Sequence, residues 1–454
     1  MSPKPAGNDL TDIGVAQPNV STEEGEVPGP WQVARAAELG EWIDACPTPY
    51  HAVYNASRRL AGGGFSECDL TEPWRSPVRR GYVPRGGTLV AWSLPDDWEP
   101  TSGLRIIAAH TDSPGLRLKP RSAAMSCGWS TLHVEVYGSP ILHTWMNRPL
   151  RVAGRIFASG EAQSSLVDSS TALVQIPSVA VHLDRQVNVE MRTNAQVDTV
   201  GVTGLIPPVD VVGLLAEDAG VQPDAVTGFD VMLVDAAISE LIGADRDLLS
   251  APRLDNLCSS WSALEAIVSH AAKGGAGGVG VIVALFDHEE VGSVSDVGAD
   301  SEFLNLVVRR ALRSIGVSSE DFEIAVANSW LCSADMAHAT HPARPDLHDP
   351  HHQIIPGGGP VLKFNASQRY TTDGASSAFA SDLAASAGLP LQRFVMRNDM
   401  ACGSTVGPAV AARLGVPAFD IGAPQLSMHS ARELMATVDV STYAAFMAAF
   451  CGVA

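Results

Sequence analysis

A short apolar run that ends in a cluster of acidic residues constrains this chain most. Residues 278–286 read GVGVIVALF, and the sequence DHEE follows at once. A short, continuous run of small and branched apolar residues is typical of a strand buried on both faces of a parallel sheet. From 286 to 302 the chain carries no lysine or arginine. Partly buried carboxylates are costly without a cation, so we expect a positive ion at the end of this strand.

The sequence after residue 253 alternates between strand and helix patterns. The predicted elements there are a helix over 258–272, a strand over 279–286, a helix over 302–315 and a strand over 417–421. Earlier in the chain, LRIIAA over 104–109 predicts another buried strand, which ends at His110. This alternation predicts an α/β fold with a mostly parallel sheet covered by helices.

The segment 115–244 differs from the rest of the chain in its pattern of apolar and polar residues. Alternating stretches such as LHVEVYG and VAVHLDRQVNVEM predict half-exposed strands. We therefore expect an inserted β-rich domain over 115–244, between two parts of a catalytic domain over 31–114 and 245–454. Residues 1–30 are rich in Pro, Gly, Asn and Glu and lack apolar periodicity, which predicts a flexible N-terminal extension.

Charge and composition exclude several classes of protein. A net charge of -20 and a pI near 5.0 argue against binding to nucleic acid or to an anionic membrane. The sequence shows neither a signal-peptide pattern nor 18 consecutive apolar residues, so we expect a cytoplasmic protein. Its seven cysteines form no CxxC pair, which disfavours a disulfide framework and a thiolate zinc site.

Histidines and carboxylates also stand at the edges of other predicted elements. The segments are HTD over 110–112, RLDN over 253–256, SADMAH over 333–338 and MHS over 428–430. Ligands of open α/β sheets bind outside the carboxyl ends of the strands, so we expect these side chains to converge. Two histidines and three carboxylates suit a pair of divalent ions, most naturally Zn²⁺, with Mn²⁺ or Co²⁺ as alternatives.

The two adjacent glutamates, Glu289 and Glu290, can take different chemical roles. In an irregular loop, one of the pair can bind a metal while the other takes the proton of a metal-bound water. The sequence therefore predicts metal-assisted hydrolysis.

Each motif has a simpler explanation when it is taken alone. A Glu-Glu pair usually belongs to a solvated face, and a His-x-Asp is usually a structural hydrogen-bonded pair. The four histidines in 341–352 resemble a second metal cluster, but proline-rich surroundings and irregular spacing favour an exposed loop. Ser430-x-x-Glu433 is a capping-box pattern, which predicts the start of a helix after His429.

Seven segments together resemble the M18 aspartyl aminopeptidases. They are HTDSPGLRLKP (110–120), APRLDNL (251–257), FDHEEVGS (286–293), SADMAHATHP (333–342), GPVLKFNASQRY (359–370), RNDMACGSTVGP (397–408) and PQLSMHSARE (424–433). The matches follow the family's order from about Pro47 to near the C-terminus. The resemblance thus covers nearly all of the chain that is expected to be ordered.

The resemblance implies a dinuclear site with two Zn²⁺ per subunit. The implied ligands are His110 and Asp335 for one zinc, Glu290 and His429 for the other, and Asp255 as the bridge. Glu289 becomes the general base for a metal-bridging water. Asp112 orients His110 through its second ring nitrogen. A turn-forming role is the alternative for Asp112.

The resemblance also implies a preference for short peptides with N-terminal Asp or Glu. The net charge repels such peptides at long range, but salt screens this field within roughly 8 Å, so selectivity needs a local cation. The resemblance implies that Lys363 contacts the substrate carboxylate, with Tyr370 nearby and Met336 lining the pocket. Arg369 is the competing cation. Rival hypotheses are a broader metallo-aminopeptidase, an amidohydrolase with the same metal pair, and a non-catalytic peptide-binding homologue.

Members of the family form dimers through the inserted domain and assemble further into tetrahedral dodecamers. A homo-oligomer is therefore implied here. In the family, a histidine from the inserted domain reaches the neighbouring subunit's active site, and the matching position is His182. A structural strand histidine is the alternative. The chain departs from the family in 137–150, where Ser139 and Pro140 replace a glycine-rich run.

Overall fold

The computed structural model describes residues 28–74, 77–161 and 163–453. Most of the extension predicted over 1–30 lies outside the described residues. The described chain contains nine α-helices: α1 Pro30–Ala45, α2 Pro49–Gly62, α3 Val211–Asp218, α4 Leu254–Ala272, α5 Phe303–Ser314, α6 Ser319–Ala327, α7 Gly374–Ser386, α8 Val406–Leu414 and α9 Thr437–Phe450. Within these described ranges, each helix is too short or too polar to cross a membrane.

A nine-stranded sheet forms the centre of the fold, with its strands numbered in chain order. Listed across the sheet they are β1 Ser66–Glu67, β2 Arg80–Arg85, β3 Thr88–Ser93, β13 Gly280–Phe286, β4 Leu104–His110, β14 Trp330–Ala334, β18 Ala418–Gly422, β16 Val361–Phe364 and β17 Gln392–Val395. The four central strands, from β13 to β18, are parallel. Antiparallel pairs flank them, since β3 opposes β13 and β16 opposes β18.

Helices cover both faces of this sheet. One face packs against α1, α2, α4, α7 and α9, with Trp261 and Phe446 among the buried side chains. The other face packs against α5, α6 and α8, where Phe303 and Val307 are buried. Every residue of β13 is buried, as expected for a strand covered on both faces. The α/β prediction is confirmed, and the sheet is mixed with a parallel centre.

The chain leaves this sheet after β4 and builds a second, six-stranded antiparallel sheet. Its strands are, in spatial order, β8 Ser165–Asp168, β7 Leu150–Ala158, β10 Val226–Asp235, β5 Gly115–Ser126, β6 Trp129–Tyr137 and β9 Gly201–Gly204. Helix α3 packs on it, and Leu215 joins Leu116 and Val231 in a separate core. These strands lie inside the inserted domain predicted over 115–244. The exact domain boundaries stay predictions.

One predicted strand of the inserted domain is wrong. LHVEVYG forms part of β6, but VAVHLDRQVNVEM over 179–191 runs through irregular turns. Its apolar side chains point into solvent, with Leu183 83% and Val189 81% exposed. An alternating pattern forms a strand only where a neighbouring strand and a core cover it, and the described part of this chain provides neither for the segment.

A third, five-stranded sheet joins the return from the inserted domain to the C-terminal part. Its strands are β11 Glu240–Ile242, β12 Leu248–Ala251, β20 Glu433–Ala436, β19 Pro424–Leu426 and β15 Ala337–His338. Strands β19 and β20 are antiparallel neighbours. The turn 427–432 between them carries His429, so this sheet brings a C-terminal histidine to the edge of the central sheet.

Candidate metal centre

Three adjacent parallel strands bring polar side chains to one edge of the central sheet. Strand β4 ends at His110, which lies opposite Phe286 at the end of β13. Glu289 and Glu290 follow β13 in a single turn of 3₁₀ helix, and Asp335 follows β14 directly. Since the carboxyl ends of parallel strands meet at the same edge, these four polar residues gather there.

Two further side chains arrive from outside the central sheet. Asp255 lies in the first turn of α4, where its backbone is not helical (φ -81°, ψ 104°). The side-chain amide Nδ2 of Asn256 donates to the backbone carbonyl of Ala334 over 2.8 Å, which ties this turn to the end of β14. His429 has a left-handed backbone conformation (φ 69°) in the turn of the third sheet.

Asp255 lies between two histidines. Its Oδ1 is 3.3 Å from Nε2 of His110, and its Oδ2 is 3.4 Å from Nε2 of His429. Nε2 of His110 is also 3.7 Å from Oδ1 of Asp335, while Nε2 of His429 is 3.4 Å from Oε1 of Glu290. The structure thus brings together the five side chains that the resemblance implies as ligands. Asp255 joins the group of His110 and Asp335 to the group of Glu290 and His429, and His110 also forms a group with Glu289 and Glu290.

Glu289 lies beside this cluster. Its Oε2 is 4.0 Å from Nε2 of His110, and its side chain retains 14% exposure. It differs from Glu290, which faces the His429 end of the cluster. Ligand atoms of both glutamates nevertheless lie within 4.8 Å of one another and of a ring nitrogen of His110.

Asp112 is a fully buried carboxylate behind the cluster. It accepts hydrogen bonds from the backbone amides of Glu289 (3.2 Å) and Glu290 (3.1 Å) and from the hydroxyl of Tyr137 (2.8 Å). Its Oδ1 is 3.4 Å from Nδ1 of His110, and its carbonyl oxygen is 3.0 Å from the same nitrogen. Asp112 therefore contacts the far side of the His110 ring and the turn that carries both glutamates.

Crowding of buried charges shifts the pKa of most groups in the cluster. Burial raises the pKa of Glu289 to about 8 and that of Glu290 well above its usual value. Burial alone would lower the pKa of His110, but the carboxylates around the ring raise it instead. The two histidines in turn hold the pKa of Asp255 below its usual range, although burial opposes this. The raised pKa values of Glu289 and Glu290 indicate buried negative charge that lacks enough positive charge nearby, whereas the two histidines supply positive charge at Asp255.

The donor set fits divalent cations. Buried Oδ1 of Asp255 accepts no hydrogen bond within the described part of the chain, although a buried carboxylate oxygen normally has a donor. Imidazole nitrogens and carboxylate oxygens at these separations are the ligands that Zn²⁺ takes in catalytic sites. The residues present therefore form a candidate metal-binding cluster.

The predicted substrate-binding residues lie on one side of this cluster. Lys363 is buried, with Nζ 3.6 Å from Oδ2 of Asp335 and 3.2 Å from the carbonyl of Met336, to which it donates. Its ammonium lies 4.9 Å from the ring centre of Tyr370. Arg369, the competing cation, has an exposed side chain. The geometry places Lys363 next to the cluster.

His182 lies apart from these residues in this chain. It is exposed within the turns of 179–191, and the described residues show no hydrogen bond or ion pair between it and the cluster. The histidines of 341–352 also form no group of metal-binding geometry within the described ranges. His348 accepts from the backbone amide of His341, and His352 lies 2.8 Å from Asp349, as in an ordinary exposed loop.

Two residues behind the cluster have contacts that the sequence did not predict. Glu433 is buried and accepts hydrogen bonds from the backbone amides of Asp255 (3.1 Å) and His429 (2.8 Å). The predicted capping box is therefore wrong, because Glu433 begins strand β20 and caps no helix. Tyr137 is the other, through its hydroxyl bond to Asp112. The one sequence feature that pointed toward Tyr137 is that segment 137–150, which it begins, departs from the family.

Comparison with known proteins agrees with this architecture. The model of the family described as aminopeptidase I zinc metalloprotease (M18) matches residues 42–451. A probable M18 family aminopeptidase 2 of Streptomyces avermitilis is 40% identical over 417 residues, which cover 91% of this chain and 96% of that protein.

Two solved structures are also similar. Ape4 in its complex with Nbr1 gives a TM-score of 0.88 at 34% identity, covering 94% of this chain and 87% of that one. The S. cerevisiae mApe1 dodecamer gives a TM-score of 0.81 at 27% identity, covering 92% of this chain and 96% of that one. The fold and the acid and imidazole cluster define a metallopeptidase. The chain belongs to the M18 family of zinc metalloproteases and is a metallo-aminopeptidase of that family.

Proposed function

We propose that this enzyme uses two Zn²⁺ ions to remove N-terminal Asp or Glu from short peptides. One observation supports a site for two metal ions. The two carboxylate oxygens of Asp255 face the imidazoles of His110 and His429, and each imidazole also faces a second carboxylate. That arrangement supports a bridging carboxylate between two cation positions. His110 and Asp335 would hold one ion, and Glu290 and His429 the other. Mn²⁺ or Co²⁺ suits the same donors.

Glu289 is the proposed general base. When bound, the metal pair lowers the pKa of a water molecule and polarises the scissile carbonyl. Glu289 lies beside the cluster and retains some exposure, so its carboxylate can reach a water at the open side. It would accept the proton of the attacking water and return it to the leaving amine. Asp112 would keep the His110 ring oriented through Nδ1.

The Glu289→Gln variant tests this role. We expect turnover to fall by at least about 100-fold, because the amide cannot accept the proton, while metal content stays near that of the parent. Zinc analysis and hydrolysis of an Asp-arylamide measure the two quantities. The matched control is Glu302→Gln, at an exposed glutamate that pairs with Arg413. Full activity of the Glu289→Gln enzyme would exclude the base assignment.

The proposed preference for acidic residues depends on Lys363. Its ammonium is buried beside the cluster, where a substrate carboxylate would meet a desolvated positive charge. Tyr370 and Met336, both buried next to it, would form the wall of that pocket. Arg369 is exposed to solvent, where an ion pair contributes little. These facts support Lys363 over Arg369 as the group that reads the acidic side chain.

An arylamide panel tests the preference. We expect Asp- and Glu-arylamides to be cleaved faster than Leu- and Lys-arylamides. Lys363→Met should lower kcat/KM for the acidic substrates by about 30-fold or more, the cost of breaking a buried charge pair. Arg369→Met is the matched control and should change little. Equal losses on all substrates, with lost zinc, would mean that Lys363 only supports Asp335 and would favour the broader aminopeptidase.

Two remaining rivals need separate assays. An amidohydrolase would cleave an N-acetylated Asp-arylamide, whereas an aminopeptidase needs the free amine. A non-catalytic peptide-binding homologue would bind zinc and cleave none of these substrates.

We propose peptides in the cytoplasm, rather than nucleic acid or membrane, as the partners of so acidic a chain. Cell fractionation tests the location.

We further propose that the active unit is a dimer, assembled into a tetrahedral dodecamer. The exposed apolar side chains of 179–191 support an interface with a second copy, and the similar mApe1 is a dodecamer. His182 would then reach the neighbouring subunit's site. Light scattering and electron microscopy measure the oligomer size.

Subunit mixing tests His182. His182→Ala and Glu289→Gln are each expected to be inactive alone. Co-refolded or co-expressed at equal amounts, they should recover about a quarter of the parent activity, since half of random pairs are mixed and each mixed pair holds one complete site. No recovery in verified mixed dimers would mean that His182 does not act across the interface.

A further inference from the structure

One segment of the inserted sheet reaches the metal-binding cluster within the same chain. We call residues 137–144, which begin at the last residue of strand β6, the strap. At its first residue, the Tyr137 hydroxyl donates to Oδ2 of Asp112 over 2.8 Å. Asp112 is fully buried, and its other contacts go to the His110 ring and to the amides of Glu289 and Glu290. Tyr137 is therefore the side chain from the inserted sheet that holds this carboxylate in place.

The strap also holds His429 at the opposite end of the cluster. The carbonyl oxygen of Ser139 lies 3.2 Å from Nδ1 of His429, and the amide of Ile141 donates to the His429 carbonyl over 2.8 Å. A carbonyl can only accept, so Nδ1 carries the proton of this hydrogen bond. The lone pair of a neutral His429 then lies on Nε2, which faces Asp255 and Glu290. Ser139 therefore selects the tautomer that can bind a cation.

Two more contacts fix the course of the strap. The hydroxyl oxygen of Thr144 accepts from the amide of Ala431, two residues beyond His429, over 2.9 Å. Gly138 has φ +66°, and a Cβ atom there would lie 3.1 Å from Cβ of Glu290. A side chain at 138 would be strained and would press on this glutamate. The strap thus passes against Glu290 at Gly138 and is bonded at its two ends, through Tyr137 and Thr144.

We infer that the strap is a positioning device through which the inserted domain sets the geometry of the metal site in its own subunit. Tyr137 acts through Asp112 on His110, and the Ser139 carbonyl acts on His429. Both residues act through another side chain, Asp112 or His429, so both are positioning residues. This inference rests on the proposed metal centre, and it gives the inserted domain a second role besides subunit contact.

The Tyr137→Phe variant tests the first end. It keeps the ring and removes the hydroxyl that donates to Asp112. The matched control is Tyr82→Phe, which removes a 3.2 Å hydroxyl bond to the carboxylate of Glu67 in another part of the chain. We expect Tyr137→Phe to weaken Zn²⁺ affinity by about 10-fold, as measured by chelator competition on the full-length protein. We also expect altered visible absorption of the Co²⁺-loaded protein and a lower kcat with little change in KM.

Thr144→Val tests the other end and serves if Tyr137→Phe fails to fold. It removes the acceptor of the Ala431 amide and should weaken Zn²⁺ affinity in the same direction by a smaller factor. Parent-like Zn²⁺ affinity and Co²⁺ absorption in both folded variants would overturn the inference. Because these readouts need no peptide, they remain decisive even if the parent binds metal and cleaves no acidic substrate, which would refute the proposed function alone.

Discussion

Buried carboxylates at two places in this molecule have opposite surroundings. At the edge of the central sheet, Asp255 and its neighbours face imidazoles, and Oδ1 of Asp255 accepts no hydrogen bond from the described residues. Asp420, within β18 of the same sheet, accepts from the hydroxyls of Ser333 (2.6 Å) and Thr405 (2.5 Å) and from both the amide (2.5 Å) and the hydroxyl (2.6 Å) of Thr371.

The number of hydrogen-bond donors around each carboxylate shows whether its charge needs a further partner. Asp420 receives four donors from the protein, so its charge is satisfied without another partner. The cluster carboxylates receive few donors, and burial together with neighbouring carboxylates raises the pKa of Glu289 and of Glu290, so the negative charge of the cluster favours bound cations. The same sheet therefore holds a carboxylate bonded by the protein and a candidate metal-binding cluster, and the number of donors distinguishes them.

Asp255→Asn should have the largest effect. The amide removes the charge between the two histidines and can offer only one oxygen, so neither cation position keeps its bridging ligand. We expect loss of most bound zinc and a fall in Asp-arylamide turnover well beyond the roughly 10- to 100-fold that changes behind the ligands cause. Metal analysis after dialysis and a turnover assay measure both. A variant that retains two zinc ions per chain would show that Asp255 is not needed to bridge them.

Asp420→Asn should act on stability instead. The amide turns one acceptor into a donor that faces hydroxyls and an amide already used as donors, and a buried polar mismatch costs on the order of 2 to 3 kcal/mol. Urea unfolding of the zinc-loaded protein should show this loss, while the number of zinc ions per chain stays that of the parent. Zinc loss without loss of stability would reverse the roles assigned to the two groups.

The central elements could be predicted because burial leaves a clear pattern. The predicted helix over 302–315 is α5 Phe303–Ser314, and the predicted strand over 279–286 is β13 Gly280–Phe286. The convergence of His110 with Glu290 follows from parallel strands ending at one edge. The roles of these side chains stay predictions.

The inserted domain and the residues behind the ligands were harder to predict. The alternation in 179–191 has the same appearance whether its apolar side chains meet a sheet of the same chain or remain exposed, so the pattern did not show that it forms turns. Glu433 matches a local capping pattern, but its carboxylate bonds the amide of Asp255, 178 residues away. Such tertiary contacts leave no periodic trace in the sequence.

Asp439 is an intermediate case, because it receives two donors. Its carboxylate accepts from the amides of Gly357 (2.7 Å) and Gly359 (3.0 Å), yet burial raises its pKa from 3.8 to about 7. Two donors therefore do not offset the cost of burying the charge of Asp439.

The pH dependence of stability tests Asp439 specifically, and its expected effect is the smallest of those predicted. Between about pH 4 and 7 the folded protein binds a proton at Asp439 that the unfolded chain has lost, so stability from this group falls as pH rises. Asn at 439 does not titrate. The free energy of unfolding of the parent minus that of Asp439→Asn should fall by about 1 kcal/mol per pH unit from pH 5 to 7. Urea titrations measure this slope, and Asp96→Asn, at a fully exposed carboxylate, should show none. A flat difference for Asp439→Asn would mean that its two backbone donors suffice, and donor number would then no longer separate satisfied carboxylates from those that need a cation.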